Sequence, residues 1–390
     1  MYVRTLQAEL ESLAQGYPVV TVTGPRQSGK TTLVQQTFPH KPYVNLEIPD
    51  VKEMAHTDPR SFLGKYPSGA ILDEIQTVPQ LLSYIQGIVD ANQEKGFFIL
   101  TGSHQLELHQ SITQSLAGRT ALATLLPMSL SELENAKIQL SLDEALLKGG
   151  FPRIFTDKLD PSKAYRNYFQ TYIERDVRQL IHIKDLIQFQ RFVRLCAGRI
   201  GQLLNLEGLA GDVGISAHTV REWISVLEAS FIIVRLAPYY ENFGKRIVKS
   251  PKLYFTDVGL ACYLLGIENE AQLSRDPLRG NLVENLVVLE LMKARLNRGK
   301  DPQLYFFRDA HGHEVDVIFQ SGHTLIPIEI KASQTFNSDF LKNLAYFQTI
   351  VGGRAPTGFL VYAGMMEQHV GPFQLLHYTH AAKALGALNK

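Results

Sequence analysis

Two groups of residues, one toward each end of the 390-residue chain, have the types and spacing needed for phosphate and metal chemistry. The first runs Gly24-Pro25-Arg26-Gln27-Ser28-Gly29-Lys30-Thr31-Thr32 and is joined, about forty residues on, by the adjacent carboxylates Asp73 and Glu74. Glycine at 24 and 29 lets the backbone curl until successive N–H groups point inward at phosphate oxygens, and a helix opening at Lys30 adds the positive end of its dipole. In such a cradle Lys30 reaches the β- and γ-phosphates of ATP, and the Thr31 hydroxyl ligates Mg²⁺. Asp73 would hold the same Mg²⁺ through water and Glu74 would polarise the attacking water. Taken alone, this carboxylate pair reads equally well as the acidic opening of a helix. The glycine loop upstream tips the reading toward catalysis.

The second group is Glu284, Asp316, Glu329 and Lys331. Val315, Val317, Ile328 and Ile330 alternate with Glu314, Asp316, Glu329 and Lys331, the period of two paired strands, and Gly322-His323 fits a two-residue turn between them. That turn sets Glu314 opposite Lys331, an ordinary ion pair, and Asp316 opposite Glu329, two carboxylates with Cβ atoms roughly 5 Å apart. A divalent cation would remove the repulsion. With Glu284 on a preceding helix over 281–292, the group has the form of a PD-(D/E)xK nuclease core, where carboxylates hold Mg²⁺ and the lysine positions or activates water. The alternative is a solvated charged face in a slipped register. His311 and His313, just ahead of the first strand, are further candidate ligands or plain turn residues.

Each group needs elements to hold it. Val19–Thr23 is a short β-branched run suited to a buried parallel strand that leads into the glycine loop. Residues 69–76 form a second such strand, ending at Asp73-Glu74, and residues 97–103 a third, whose tip offers Thr101 or Ser103 to orient a water in the crevice of a parallel sheet. Arg119 stands at a helix end ahead of a strand over 121–126. There it is a sensor for its own site, a finger given to a neighbouring subunit, or a solvated side chain. Residues 1–148 therefore read as an α/β P-loop nucleotide-binding domain built on a parallel sheet.

After Gly149-Gly150-Phe151-Pro152 the periodicity turns helical, with Tyr165, Phe169, Tyr172 and Ile173 three or four residues apart in 164–180; the mixed charges of 172–178 read as a salt-bridged exposed end. Residues 204–227 have helix-turn-helix grammar: Gly214 suits the turn, Ser216 caps the second helix, and His218, Thr219 and Arg221 face outward. Strands over 231–236 and Lys252–Phe255 flank a basic tip, 242–246, as in a winged helix. The region 149–265 thus either lays its second helix in a DNA major groove, with Lys245, Arg246, Lys249 and Lys252 against phosphates, or serves as a spacer or protein-contact module. Residues 266–390 form the α/β domain of the second carboxylate group.

A formal net charge of +1 provides no overall field to announce a nucleic-acid or membrane partner, so any basic patch must be local. Apolar residues at 45% and charged residues at 20% belong to a globular chain of two or three domains. Cys196 and Cys262 stand apart in apolar helical contexts and read as buried free thiols of a reducing compartment. No apolar stretch approaches the roughly 20 residues of a membrane span, and no signal peptide is visible, so a cytoplasmic location is expected.

Taken in order, the loop Gly24–Thr31, Asp73-Glu74, Gly149–Pro152, the run 172–176, the winged-helix pattern, Phe255–Leu260, Val283–Asn285 and Glu329–Lys331 resemble the prokaryotic AAA-type ATPases that carry a C-terminal DUF4143 domain. The resemblance covers nearly the whole chain. It implies an AAA-like core, a winged-helix middle and a restriction-endonuclease-like PD-(D/E)xK end, with intact ATPase chemistry on ATP and Mg²⁺, and the strand tip with Thr101 or Ser103 resembles the sensor-1 position of AAA-type ATPases. It leaves the partner open among DNA, another protein and a second copy of the chain.

Overall fold

The computed structural model describes residues 2–103, 115–172, 185–240 and 248–386. Five strands, β1 (Val19–Thr23), β2 (Tyr43–Asn45), β3 (Ala70–Asp73), β4 (Phe98–Gly102) and β5 (Thr120–Thr124), make a wholly parallel sheet in the order β2-β3-β4-β1-β5. β1, β3 and β4 are buried at every position, which is why their sequences are continuous apolar or β-branched runs instead of alternating ones. One face packs on Leu81, Ile85 and Val89 of the helix Leu81–Asn92, the other on Leu10 of Gln7–Gly16 and Leu33 and Val34 of Lys30–Thr37. Because β4 lies between β1 and β3, the carboxyl ends of these three strands open side by side. The glycine loop, Thr101 and Asp73 therefore share one crevice.

The middle region begins with the helices Leu142–Lys148, Pro152–Thr156, Pro161–Tyr168 and Leu186–Ala197. The helices Leu206–Val213 and Ala217–Ala229 then fold around the expected turn: Asn205 caps the first through the Gly208 N–H, Gly214 closes it at φ +83°, and Ser216 caps the second through the Thr219 N–H. Trp223 of the second helix packs edge-on against Phe189 and Phe192. β6 (Ile233–Leu236) and β7 (Lys252–Phe255) pair antiparallel behind them. Residues 173–178 and the basic tip 242–246, with Lys245 and Arg246, lie outside the described residues.

The last third is a six-stranded mixed sheet of β8 (Leu304–Arg308), β9 (Glu314–Ser321), β10 (Thr324–Lys331), β11 (Gly358–Tyr362), β12 (His369–Val370) and β13 (Phe373–His377), in the order β12-β13-β11-β10-β9-β8. The helix Arg279–Leu296 covers one face through Leu286 and Val287, and the helix Lys342–Val351 covers the other through Leu344 and Phe347. Pairing of Ser321 with Thr324 and of Val317 with Ile328 fixes the two-residue turn at Gly322-His323 and the register expected from the alternation.

Motifs that look isolated in sequence lock these regions together. The Asn285 amide accepts from the Phe255 N–H at 2.7 Å and donates to its carbonyl at 3.0 Å. Asp257 accepts from the Gly150 N–H at 2.8 Å and the Tyr165 hydroxyl at 2.5 Å. Farther along the helix Arg279–Leu296, Glu290 accepts the Leu130 N–H at 2.8 Å, and Lys293 donates to the Met128 carbonyl at 2.9 Å. One apolar cluster draws residues from both the middle region and the last third, among them Leu146, Phe192, Leu227, Leu286, Val317 and Ile328. Cys196 and Cys262 are buried free thiols. Among the described residues, no helix is long and apolar enough to cross a membrane.

Candidate nucleotide site and a second charged cluster

The glycine loop leaves β1 and enters the helix Lys30–Thr37 through three left-handed residues, Gly24, Gln27 and Gly29, at φ +148°, +63° and +93°. Gly24 has no room for a side chain, since a Cβ there would stand 2.1 Å from the Leu125 carbonyl oxygen. Gly29 occupies the N-cap without a capping side chain, which leaves the first-turn N–H groups for an anion. Lys30, only 4% exposed, folds back to donate to the carbonyls of Gly24 and Pro25, each at 3.0 Å. Burial lowers its pKa against the opposing pull of Glu74 and Asp73. The Ser28 carbonyl accepts from Arg4 at 2.7 Å, and the same guanidinium reaches the Leu126 carbonyl at 2.7 Å and Glu132 at 3.1 Å. Arg26 pairs with Glu47 at 3.2 Å and stands 5.6 Å from the Tyr172 ring centre.

The Thr31 hydroxyl lies 3.1 and 3.0 Å from the two Asp73 oxygens. Tyr43 donates to Asp73 Oδ2 at 2.7 Å, and the Thr101 hydroxyl donates to Asp73 Oδ1 while accepting the Glu74 N–H at 3.1 Å. Of the two residues offered by the β4 tip, Thr101 thus serves Asp73, whereas Ser103 donates to Glu74 Oε2 at 3.0 Å beside the Gln76 amide. Glu74 sits at φ +56°, a costly conformation for a side-chain-bearing residue, which turns it off the strand end into the cleft. Burial would raise its pKa, but the Lys30 charge and the Gln76, Arg26 and Ser103 contacts together lower it, so it stays ionised.

The glycine loop and Glu74 border a cleft of about 550 Å³, the size of a small-molecule site. Arg26, Gln27, Gly29, Lys30, Thr31, Thr32 and Glu74 form one wall, and Pro152, Arg153, Thr156, Thr171 and Tyr172 of the middle region form the other. Thr31 and Asp73 supply adjacent hard oxygens, a donor set that fits Mg²⁺. Arg119 is not among the lining residues; it makes a two-pronged pair with Asp90 at 2.5 and 2.9 Å. Arg4 and Tyr43 escaped sequence reasoning because each acts across a long stretch of chain and belongs to no local pattern.

The second group also comes together, with an addition. Lys331 lies 2.6 Å from Glu329 and 4.0 Å from Asp316. Lys252, expected to face DNA phosphates, is instead 2% exposed, with its ammonium 2.8 Å from Glu284, 2.5 Å from Glu314 and 3.8 Å from Asp316. The reason is that β7 is buried at all four positions, so its lysine has no route to solvent. Glu314 also pairs with Arg308 at 3.1 Å. Burial, and next the charge of Asp316, push Glu329 up to about 8 and Glu284 up to about 7. His311 and His313 turn toward Asp309 through their backbone N–H groups, at 2.9 and 3.0 Å, and ligate nothing in the cluster. Among the described residues, no three His, Cys, Asp or Glu side chains converge in an arrangement able to hold a metal. On the helix Ala217–Ala229, exposed Arg221 is offset by exposed Glu222, while Lys249 is exposed near β7.

Residues 16–134 match the family model of an AAA domain, residues 139–271 that of the domain of unknown function DUF8612, and residues 279–380 that of the domain of unknown function DUF4143. Uncharacterized proteins of Mycobacterium tuberculosis and Mycobacterium bovis are each 30% identical over 335 residues, covering 85% of this chain and 74% of theirs. The chain belongs to the prokaryotic AAA ATPase family that carries DUF4143. Among solved structures, this ATPase is similar to the Walker-type ATPase of Pyrococcus abyssi, at 16% identity and a TM-score of 0.45 over 66% of this chain and 94% of that one. It is also similar to AMPPCP-bound DnaA from Aquifex aeolicus, at 16% identity and a TM-score of 0.30 over 57% and 85%.

Proposed function

We propose that the chain binds ATP with Mg²⁺ in the cleft between its parallel sheet and its middle region, hydrolyses it there, and uses the bound nucleotide as a switch on a protein or nucleic-acid partner. The observation that carries this reading is the convergence of Lys30, Thr31, Asp73, Thr101 and Glu74 from three neighbouring strand ends, facing a wall built from residues 152–172. The loop Gly24–Thr32 offers N–H groups to the phosphates, and Lys30 exchanges the carbonyls of Gly24 and Pro25 for phosphate oxygens. Thr31 and Asp73 would hold Mg²⁺, which when bound would supply charge to offset that of the phosphates. Glu74, kept ionised and oriented by Ser103 and Gln76, polarises the attacking water, while Thr101 positions Asp73. Arg119, paired with Asp90 away from its own cleft, is left as a solvated side chain or a finger given to a neighbouring copy.

The far wall supports the switch. Pro152, Arg153 and Tyr172 belong to the middle region, so a nucleotide in the cleft touches both bodies and biases their arrangement. Cutting of nucleic acid at the C-terminal carboxylates has less support, because Lys252 lies among them. The test is ATP turnover with and without DNA in wild type and Glu74→Gln. Turnover in wild type, lost in the variant, is expected; equal turnover in both would refute the hydrolytic reading. Stimulation by DNA would assign the partner to nucleic acid, and indifference to DNA would leave a protein.

A further inference from the structure

The C-terminal cluster contains the side chains of a divalent-metal site, and whether it fits a metal depends on what each oxygen already touches. Glu284 Oε1 takes the Lys252 ammonium at 2.8 Å and the Tyr254 hydroxyl at 2.5 Å. Glu314 gives one oxygen to Lys252 at 2.5 Å and the other to Arg308 at 3.1 Å. Asp316 aims Oδ1 at Lys252, 3.8 Å away, and uses Oδ2 for the Ile330 N–H at 2.8 Å. Glu329 Oε1 sits on Lys331 at 2.6 Å, and its Oε2 is buried without a hydrogen-bond partner. A hard divalent cation takes about six oxygen ligands, several of them water, but it needs carboxylate oxygens aimed at its own position, and here the oxygens of Glu284, Glu314 and Asp316 that face inward are aimed at the Lys252 ammonium. With Lys252 in place, these carboxylates do not fit one.

We infer that Lys252 is the resident cation of this cluster: its ammonium takes the position between Glu284, Glu314 and Asp316 that a divalent ion would need, and strand β7 thereby keeps the site closed to metal. The placement is not that of a wandering surface side chain. The Lys252 backbone pairs with Leu236 on one side and Leu203 on the other, so its stem leaves a strand fixed on both edges. Three residues on, Asn285 clamps the Phe255 backbone, and Asn285 adjoins Glu284 on the same helix, so the lysine and its principal carboxylate are set by one rigid connection. The Phe306 ring, 5.7 Å from the ammonium, adds a π-face to the enclosure. Four carboxylates, Glu284, Glu314, Asp316 and Glu329, already meet three cations, Lys252, Lys331 and Arg308. A divalent ion entering between Glu284, Glu314 and Asp316 must displace the Lys252 ammonium from its contacts. The cluster accordingly acts as an electrostatic clasp between the middle region and the last sheet, and loss of the lysine charge converts it into a metal site.

The experiment uses the full chain without nucleotide, in an Asp73→Asn background that removes metal binding at the P-loop, with Mn²⁺ as the probe. Mn²⁺ binding is read by electron paramagnetic resonance and its effect on unfolding by a thermal melt. With Lys252 intact, no Mn²⁺ binding that depends on Asp316 and no shift in melting temperature are expected. Lys252→Met should melt several degrees lower, recover with Mn²⁺, and lose that recovery on addition of Asp316→Asn; Lys252→Arg should resemble wild type in ignoring Mn²⁺. Asp316-dependent Mn²⁺ binding with Lys252 intact would overturn the inference, as would a folded Lys252→Met that ignores Mn²⁺. Should Lys252→Met fail to fold, comparison of the Lys252-intact chain with its Asp316→Asn variant decides the matter alone.

Discussion

Lys30 and Lys252 are both almost fully buried ammonium groups beside acidic side chains, at 4% and 2% exposure, yet they keep different company. Lys30 donates to two backbone carbonyls and faces a cleft, while Lys252 lies against carboxylates at 2.8 and 2.5 Å. Burial lowers the pKa of Lys30. It works the same way on Lys252, but there Glu284, Asp316 and Glu314 outweigh it and the net shift is upward. Carbonyl dipoles are weak partners that a phosphate displaces readily; carboxylates have already neutralised the charge they hold.

The comparison can be broken at either lysine's site. The largest effect is expected from Glu74→Gln, which should lower ATP turnover by roughly 10²–10⁴-fold while nucleotide binding, followed with a fluorescent analogue, persists. Turnover within tenfold of wild type would remove Glu74 from the chemistry. Next come the lysines themselves. In denaturant unfolding Lys252→Met is expected to cost about 3–5 kcal/mol, because it strands buried carboxylates. Lys30→Ala should leave the free protein nearly as stable and abolish its stabilisation by ATP. Reversal of that pattern would end the contrast.

A smaller effect concerns pH. The folded-state pKa of Glu329 is raised from 4.5 to about 8 by burial and then by Asp316, so the folded protein binds this proton more tightly than the unfolded chain. The resulting stability is fully present below the ordinary glutamate value and disappears as pH rises through the folded one. Wild type should therefore lose stability between about pH 5 and pH 8, and Glu329→Gln should flatten that part of the curve. The smallest effect is expected at Arg119: Arg119→Ala should leave turnover unchanged in dilute monomer, and a loss that grows with protein concentration would mark a finger given to a neighbour.

What was legible in the sequence was local. The glycine loop, the strands that carry Asp73 and Thr101, and the turn at Gly322-His323 are each set by a few consecutive residues, through β-branched runs, glycine spacing and period-two alternation. Asp316 and Glu329 were foreseeable for the same reason, since one turn fixes their register. Arg4 bonds to Leu126 across 122 positions, and Tyr43 to Asp73 across 30, so no window of sequence contains both partners. Lys252 misled for a related reason. Beside a basic tip it reads as part of a wing, and only the packing of the helix Arg279–Leu296 against β7 shows that its side chain points inward.

That helix carries a mechanical consequence. Glu284 on one turn holds Lys252, and Glu290 and Lys293 farther along hold the Leu130 N–H and the Met128 carbonyl, where the chain leaves the nucleotide domain. From Glu284 to Glu290 is a span of roughly 9 Å at the rise of an α-helix, too short to bend. The segment around Leu126, which Arg4 ties to the Ser28 carbonyl of the phosphate loop, is thereby joined through this one helix to the carboxylates around Lys252. A shift of the Lys252 ammonium resonance when ATP replaces ADP would show that this linkage carries the state of the nucleotide site.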